Sequence, residues 1–547
     1  MTNLVESVRQ YIAEMMRISG PGMKVLLMDK ETTSIISCVY AQSEIMQKET
    51  YLFERIDSGI LREPIRHLKC IAFLRPTSEN VALLAQEFRS PRYGQYFVYF
   101  SNVISKADVK ILAEADEQEV VREMQEFFAD FVALSPHLFT LNLPNCYHYL
   151  SLSPVALKTS TQSVASVLLA LRKTASMRYQ GSSEAAKRLA ENIQSLINKE
   201  STLFKFKTKS DDGTLLLILD RRGDPVTPLL NKWTYEAMVH ELIGIKNNRV
   251  HLVASGGSGD ADREIILNPL QDHFYNKCMY LNFGEIGQQV REVLNEYQKK
   301  AETHQKIESI SDIKTFIEHY PEFKKFSGTV EKHVLLISEL NRLVDAYNLL
   351  EISELEQQIA CRDEQSSSQQ RIRALLRHEK TSDLDATRLV MLYALRYGSS
   401  SASGELRSLV ELLRKRGVPE KYCQAVRSLL EFSSGIPENA PEGTLGNIDP
   451  IRMTKKLIRD FKGVENIYIQ HQPRLVEILD QIAKGKLMDS LYPYVESSPI
   501  LPRVSEVIIF MIGGATFEES LAVHNFNMSS SSVRAVLGGT NIHNARR

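Results

Sequence analysis

Asp220, Arg221, Arg222 and Asp224 crowd two carboxylates and two guanidiniums into five residues. That density could hold a metal or a phosphate. Two aspartates are too few for a hard cation, which takes about six to eight oxygen ligands. The corner is therefore expected to be structural, its acids and arginines pairing with one another, capping nearby backbone and setting the angle between domains. Gly513-Gly514 and Gly538-Gly539 are the other candidates, each following an apolar run. Strand, Gly-Gly and helix make half of a nucleotide-binding arrangement. The third fingerprint glycine and the acidic residue for a ribose are missing, so these glycines are expected to let a helix pack close to its strand. A nucleotide- or phosphate-binding α/β enzyme using these turns is the alternative function.

No G-x-S-x-G elbow, Walker loop, H-E-x-x-H pair or kinase signature occurs. His240, His333 and His524 fall inside helical or strand patterns and read as satisfied structural residues. Cys38, Cys70, Cys146, Cys278, Cys361 and Cys423 form no C-x-x-C pair, which suits reduced, buried thiols and excludes a zinc knuckle. Without an activated nucleophile or a positioned base, no enzyme activity and no cofactor are expected.

The elements that position these residues are legible from period. Thr214–Ile245 changes period in its middle: Leu215–Leu219 is a buried strand, Pro225 and Pro228 hold off any helix until about Leu229, and Tyr235, Met238, Leu242 and Ile245 follow at helical spacing up to Gly244. This stretch reads as a domain junction. Before it, strands at Met23–Met28, Tyr51–Phe53, Cys70–Leu74 and Tyr96–Phe100 alternate with helices at Ser78–Phe88 and Ala107–Ala113. That alternation predicts a doubly wound parallel α/β domain over residues 1–136. The turn after its first strand, Asp29–Thr33, has no glycine to cradle a phosphate, so the domain reads as an interaction module. Acidic Glu114–Glu126 running into Phe127–Val132 suits either a solvated helix leading to a core strand or an apolar groove with an acidic lip for a basic, apolar peptide.

Beyond Ile245 the chain reads as helical for about 240 residues. Glu292–Glu322 and Val330–Gln358 are the longest helical patterns, broken near Pro321, which is expected to end or kink a helix. Gln365–Gln370, Gly398–Gly404 and Ser433–Asn447 read as exposed loops, and Ser382 as the cap of an apolar helix ending at Tyr397. The last two strands, Val507–Ile512 and Val533–Leu537, cannot bury a core alone and must complete a sheet beside Leu215–Leu219. The expected fold is therefore α/β plus α: a doubly wound first domain, a discontinuous α/β middle domain (137–224 and 488–547), and a large, mainly helical domain (225–487) inserted between its halves.

Composition excludes some partners. With 66 basic against 67 acidic residues, no net charge draws the chain to nucleic acid. The longest apolar run, Val507–Ala515, is too short to span a bilayer, and the N-terminus reads as an amphipathic helix, so a cytoplasmic chain is expected.

DRRGDPVTPLLNKWTYEAMVHELIGI at 220–245, SSEAAKRLAE at 182–191, RLVMLYALRY at 388–397, GVENIYIQHQP at 463–473 and VIIFMIGGATFEESLAV at 507–523 resemble the SM (Sec/Munc) family of syntaxin-binding proteins, and most closely its vacuolar protein sorting branch. The resemblance implies a three-domain arch without enzyme activity. It implies that the chain clasps a syntaxin-type SNARE and promotes SNARE complex formation at trans-Golgi and endosomal membranes, associating with them peripherally through its partners, as a monomer. By position it implies a pocket for the syntaxin N-terminal peptide at Val109, Leu112, Glu126 and Phe127. It also implies a SNARE-binding helical hairpin over about 290–360, bent at Pro321, that serves the assembled SNARE bundle.

Overall fold

Five parallel strands open the structure, a computed structural model that describes residues 3–59, 63–148, 151–206, 213–252, 263–305, 310–362, 364–398, 403–434, 466–496 and 503–545. Of these, 297–305, 310–326, 403 and 434 are described as backbone only. Two compact units result: Met1–Arg221 with Glu477–Ala515 and Ala522–Ile542, and Arg222–Val476 with Thr516–Leu521 and His543–Arg547.

In the first unit, β1 (Lys24–Met28), β2 (Thr50–Arg55), β3 (Ile65–Leu74), β4 (Tyr93–Phe100) and β5 (Val121–Glu126) form one sheet in the order 2-1-3-4-5, every neighbouring pair parallel. β1 is buried along its whole length, as a strand covered on both faces must be. One face packs Val25, Leu27, Cys70, Ala72, Val98 and Phe100 against Val81, Leu84 and Phe88 of helix Ser78–Arg89 and Leu112 of helix Lys106–Ala115. The acidic stretch before Phe127 is therefore no solvated helix at its end. Val121–Glu126 is a half-buried edge strand, its polar side chains tolerated because one side of it carries no further strand.

β6 (Val132–Ser135) and β7 (Leu138–Thr140) follow, then the short hairpin β8 (Tyr147–His148) and β9 (Ser151–Leu152), then β10 (Ala175–Tyr179) and β11 (Gly213–Asp220). The second unit contributes an antiparallel sheet absent from the sequence reading: β12 (Ile245–Lys246), β13 (Arg249–Leu252) and β14 (Arg263–Ile266). The chain then returns to the first unit with β15 (Val504–Ile512) and β16 (Arg534–Gly539). A six-stranded sheet is thereby completed in the order 10-11-15-16-7-6. Leu215 pairs with Val507 and Ile509 with Leu537, so the C-terminal strands do join the central strand they were expected to need.

Three boundaries differ from expectation. The helix after the corner spans Tyr235–Leu242 and starts six residues late, because Thr234 bridges Asn282 and the Tyr235 amide donates to Leu281 O. It ends at Leu242, two residues before Gly244, whose φ of +109° favours glycine, and Ile245, read at helical spacing, lies in β12. Gln365–Gln370 opens a helix, Gln365–Leu375, rather than a loop, with Arg371 bonding Glu354 and Gln358. A single helix, Ile310–Ala346, runs through position 321, so Pro321 does not terminate it. Its missing N–H removes one bond from an otherwise continuous ladder. The break falls at Asn348, in left-handed conformation, before helix Leu349–Cys361. Ser382 caps its helix as expected, accepting from the Asp385 amide at 3.1 Å.

Candidate functional site

In doubly wound sheets a ligand sits beyond the carboxyl ends of the strands. Both such places are filled here by side chains of the chain itself. At the end of β1, Asp29 forms a capping box with Thr32, and its other oxygen accepts from the Arg75 amide and from Asn80 Nδ2, both at 2.7 Å. Nearby, buried Asp130 takes Arg75 at 2.9 Å, Asn102 Nδ2 at 3.2 Å and Ser163 Oγ at 3.0 Å. These carboxylates repel an anion and have their own partners.

At the six-stranded sheet, Asp220 Oδ1 accepts from Tyr147 OH and Oδ2 from Ser183 Oγ, each at 2.5 Å. Arg221 donates to Gly514 O at 2.8 Å. A β-carbon on Gly513 would lie 2.7 Å from Arg221 Cβ and 3.1 Å from the Tyr147 ring. The space a phosphate needs is already occupied. Gly538 faces the ring of Phe139 on the neighbouring strand, so this glycine serves strand-to-strand rather than helix-to-strand packing.

The rest of the corner is likewise built into the fold. Asp224 accepts from Thr227 N (3.1 Å), Thr227 Oγ1 (2.6 Å) and the Arg474 amide (3.1 Å), and Arg222 donates to Phe432 O at 3.0 Å. Among the described residues no group of three His, Cys, Asp or Glu could hold a metal ion, and all six cysteines are buried thiols.

The four residues assigned to a peptide pocket lie around one edge of the first sheet but differ in access. Val109 is 37% exposed and Leu112 only 1%, facing inward into the sheet's core. At about 100° per residue, Val109 lies on one shoulder of its helix and Ile111, 45% exposed, on the other. Glu126 spends one oxygen on the Ile104 amide at 2.8 Å, and burial raises its pKa. Phe127 is buried, its ring stacked on Tyr99 at 5.0 Å and tilted against Tyr11 at 5.2 Å. Leu112 and Phe127 are thus buried, while Val109 is exposed and Glu126 half-buried at the end of β5. The side chain of Pro321 lies outside the described residues.

Sequence reasoning missed a buried charge cluster in the second unit. Arg388 reaches Glu356 at 3.0 Å and Glu241 and Asp385 at 3.3 Å, and donates to Leu229 O at 2.8 Å. Its partners lie up to 159 positions away in sequence, so no local signal marks it. Burial pushes Glu356 up to about 7 despite Arg388, and Glu236, held by Tyr275 OH at 2.9 Å, up to about 8. Both pKa values are raised above the usual 4.5, so this stabilisation is fully present below pH 4.5 and is lost as pH rises through about 7 to 8. Burial depresses His471 to about 4, which acts oppositely as pH falls below 6.5. Between pH 6.5 and 8.5 the chemical-denaturation midpoint is expected to fall, and to fall less in a Glu236→Gln, Glu356→Gln variant. An equal slope in both would remove these carboxyls as the cause.

This chain fills its strand-end crevices with its own side chains and, among the described residues, keeps an edge strand and a pair of long helices. It belongs to the Sec1 family, whose profile matches residues 24–547. It is 52% identical to vacuolar protein sorting-associated protein 45 of Rattus norvegicus over 545 residues, covering 100% of this chain and 95% of that one. The solved SM protein Vps45 in complex with the Qa SNARE Tlg2 superposes with a TM-score of 0.90 at 41% identity, covering 100% of this chain and 96% of that one. Sly1p in complex with an N-terminal peptide of Sed5p shares the fold, with a TM-score of 0.76 at 18% identity over 100% and 97% of the chains.

Proposed function

We propose that this chain is a non-enzymatic assembly factor that clasps a syntaxin-type SNARE and promotes SNARE complex formation in vesicle fusion at trans-Golgi and endosomal membranes. The observation that carries this reading is the full-length likeness, in sequence and fold, to an SM protein held on its Qa SNARE. An exposed SNARE helix presents an apolar stripe that pairs with wrong partners. Holding it in register lowers the entropy lost on assembly, and SNARE folding itself supplies the energy. The reading includes the three-domain division at 1–136, 137–224 with 488–547, and 225–487. It also includes monomeric chains and membrane association through partners. Among the described residues no helix is long and apolar enough to cross a membrane.

Two surfaces would do the work. The first is the outer edge of β5 with Val109, where an extended peptide can add to the sheet beside Glu123 and Glu126. The second is the helical pair Phe283–Gln305 and Ile310–Ala346, with Pro321 in its distal part. Retention of the cytoplasmic region of a syntaxin-type SNARE by the full chain tests the function, and failure with every such SNARE, each with an intact N-terminus, would sink it. For the first surface, Val109→Asp is expected to weaken binding of the SNARE N-terminal peptide by at least about tenfold, the order expected for a charge placed against an apolar contact. Ile111→Asp, on the opposite shoulder, is expected to leave binding unchanged. Isothermal calorimetry giving the reverse ranking would move the pocket to the other side of the helix.

A further inference from the structure

β10 ends the six-stranded sheet, and a bare strand edge is a template on which another extended chain can pair. Residues 487–495 of the same unit lie along that edge, antiparallel to β10. Val495 N donates to Met177 O at 3.1 Å, Tyr179 N to Pro493 O at 3.2 Å and Gly181 N to Leu491 O at 2.8 Å, and Arg178 is bridged to Tyr494, all in one register. Pro493 has no N–H to return the bond to Tyr179, so the backbone pairing alone is thin. A β-carbon on Gly181 would lie 3.1 Å from Leu491 O and 3.2 Å from Pro493 Cδ, so this close approach depends on glycine.

One side chain of β10 supplies what the backbone lacks. Arg178 is buried, and its Nε donates to Tyr492 O at 2.6 Å while Nη2 reaches Leu487 O at 3.1 Å and Asp489 Oδ1 at 2.6 Å. The guanidinium also lies 4.4 Å from the centre of the Tyr494 ring. Bonds from an ionised donor are stronger than neutral ones, so this residue fastens the segment at both its ends. The segment offers little to a further strand. Tyr492 O, which alternation points away from β10, is spent on Arg178, and a proline and a charged aspartate flank it.

We propose that residues 487–495 are an edge guard, latched by Arg178, that keeps β10 from pairing with the same segment of a second copy of this chain. A second copy is the fitting occupant because every copy carries both halves, an edge and a segment in matching register. Once the latch opens, exchange between copies re-forms the same bonds at little cost.

The full chain tests the guard. Arg178→Met removes the latch and strands no buried charge, since the Asp489 side chain is 76% exposed and rehydrates. Val495→Pro removes one donor of the segment and leaves β10 intact. In both variants the Tyr179 and Gly181 amides are expected to exchange about tenfold faster or more, with β11 and β16 unchanged. The mass from light scattering is expected to rise with concentration toward twice the wild-type value. Tyr179 and Pro493 face each other, so Tyr179→Cys with Pro493→Cys allows a disulfide that locks the segment in place. In Arg178→Met this lock is expected to restore the wild-type mass, and its reduction to undo the rescue. Unchanged exchange in both variants overturns the latch. Faster exchange without a rise in mass, association equal to that of wild type, or association that persists under the lock overturns the guard.

Discussion

Arg388→Met is expected to cost ~3–5 kcal/mol, the usual result of removing one partner from a buried ionic cluster. The guanidinium and the three carboxylates around it are each more than nine-tenths buried, so water cannot replace what is lost. Without Arg388, Glu241, Glu356 and Asp385 face one another, and carboxylates that close cannot all stay ionised. Glu356 is already pushed up to about 7 with the guanidinium in place. The defect should therefore shrink on acidification and shrink again in an Arg388→Met, Glu356→Gln, Glu241→Gln variant. Arg388→Lys should rescue little, since a single ammonium cannot span acceptors arranged around a planar fork. Amide exchange within 383–397 and 349–361 reports this unit by itself. Exchange at wild-type rates in Arg388→Met would mean that the cluster contributes no stability.

That cluster shows where sequence reading stops. The inner strands were legible because β1, β11 and β15 are buried on both faces and read as short apolar runs bounded by turn residues. The pairing of β11 with β15 followed from a size argument: two terminal strands cannot close a core. β5 was not legible, since an edge strand reading Val-Arg-Glu-Met-Gln-Glu has the composition of a solvated helix. β12 to β14 are too short to carry a period, and their pairing is set by partners in three dimensions. Pro321 does not end its helix, which runs through that position, whereas Asn348 adopts a left-handed conformation that sequence only permits.

Which of the candidate pocket residues reach the surface was not legible in the sequence. Val109 and Leu112 are three residues apart and share a helical face in projection, yet the helix is rolled so that Leu112 reaches the core and Val109 remains at the rim. The roll is decided by which side chain the sheet can bury, and only packing reveals it. His333 was read correctly as a satisfied histidine, with its ring nitrogens 2.8 Å from Asp272 and Tyr235. Those partners lie 61 and 98 positions away, so no local signal names them.

The glycine pair at the end of β16 leads to the second large effect. Gly538 pairs with Phe139 across β7 and with Phe510 across β15, and a β-carbon there would lie 2.0 Å from Cζ and 2.2 Å from Cε1 of the Phe139 ring. That ring cannot step aside: it is fully buried, stacked against Phe510 at 6.2 Å and edge-on to Phe131 at 5.7 Å. A ring laid over a strand glycine restores the contact area that glycine lacks, and it makes the glycine obligatory. Gly538→Ala is therefore expected to cost at least ~3 kcal/mol, the upper end of ordinary overpacking, and to show first as lost protection in β7, β15 and β16. Phe139→Leu alone should also destabilise, by opening a gap. In the double variant each change relieves the other, so a coupling energy of ~1–3 kcal/mol in the favourable direction is expected. Additive losses would mean that the clash is dissipated through the backbone rather than held between this glycine and this ring.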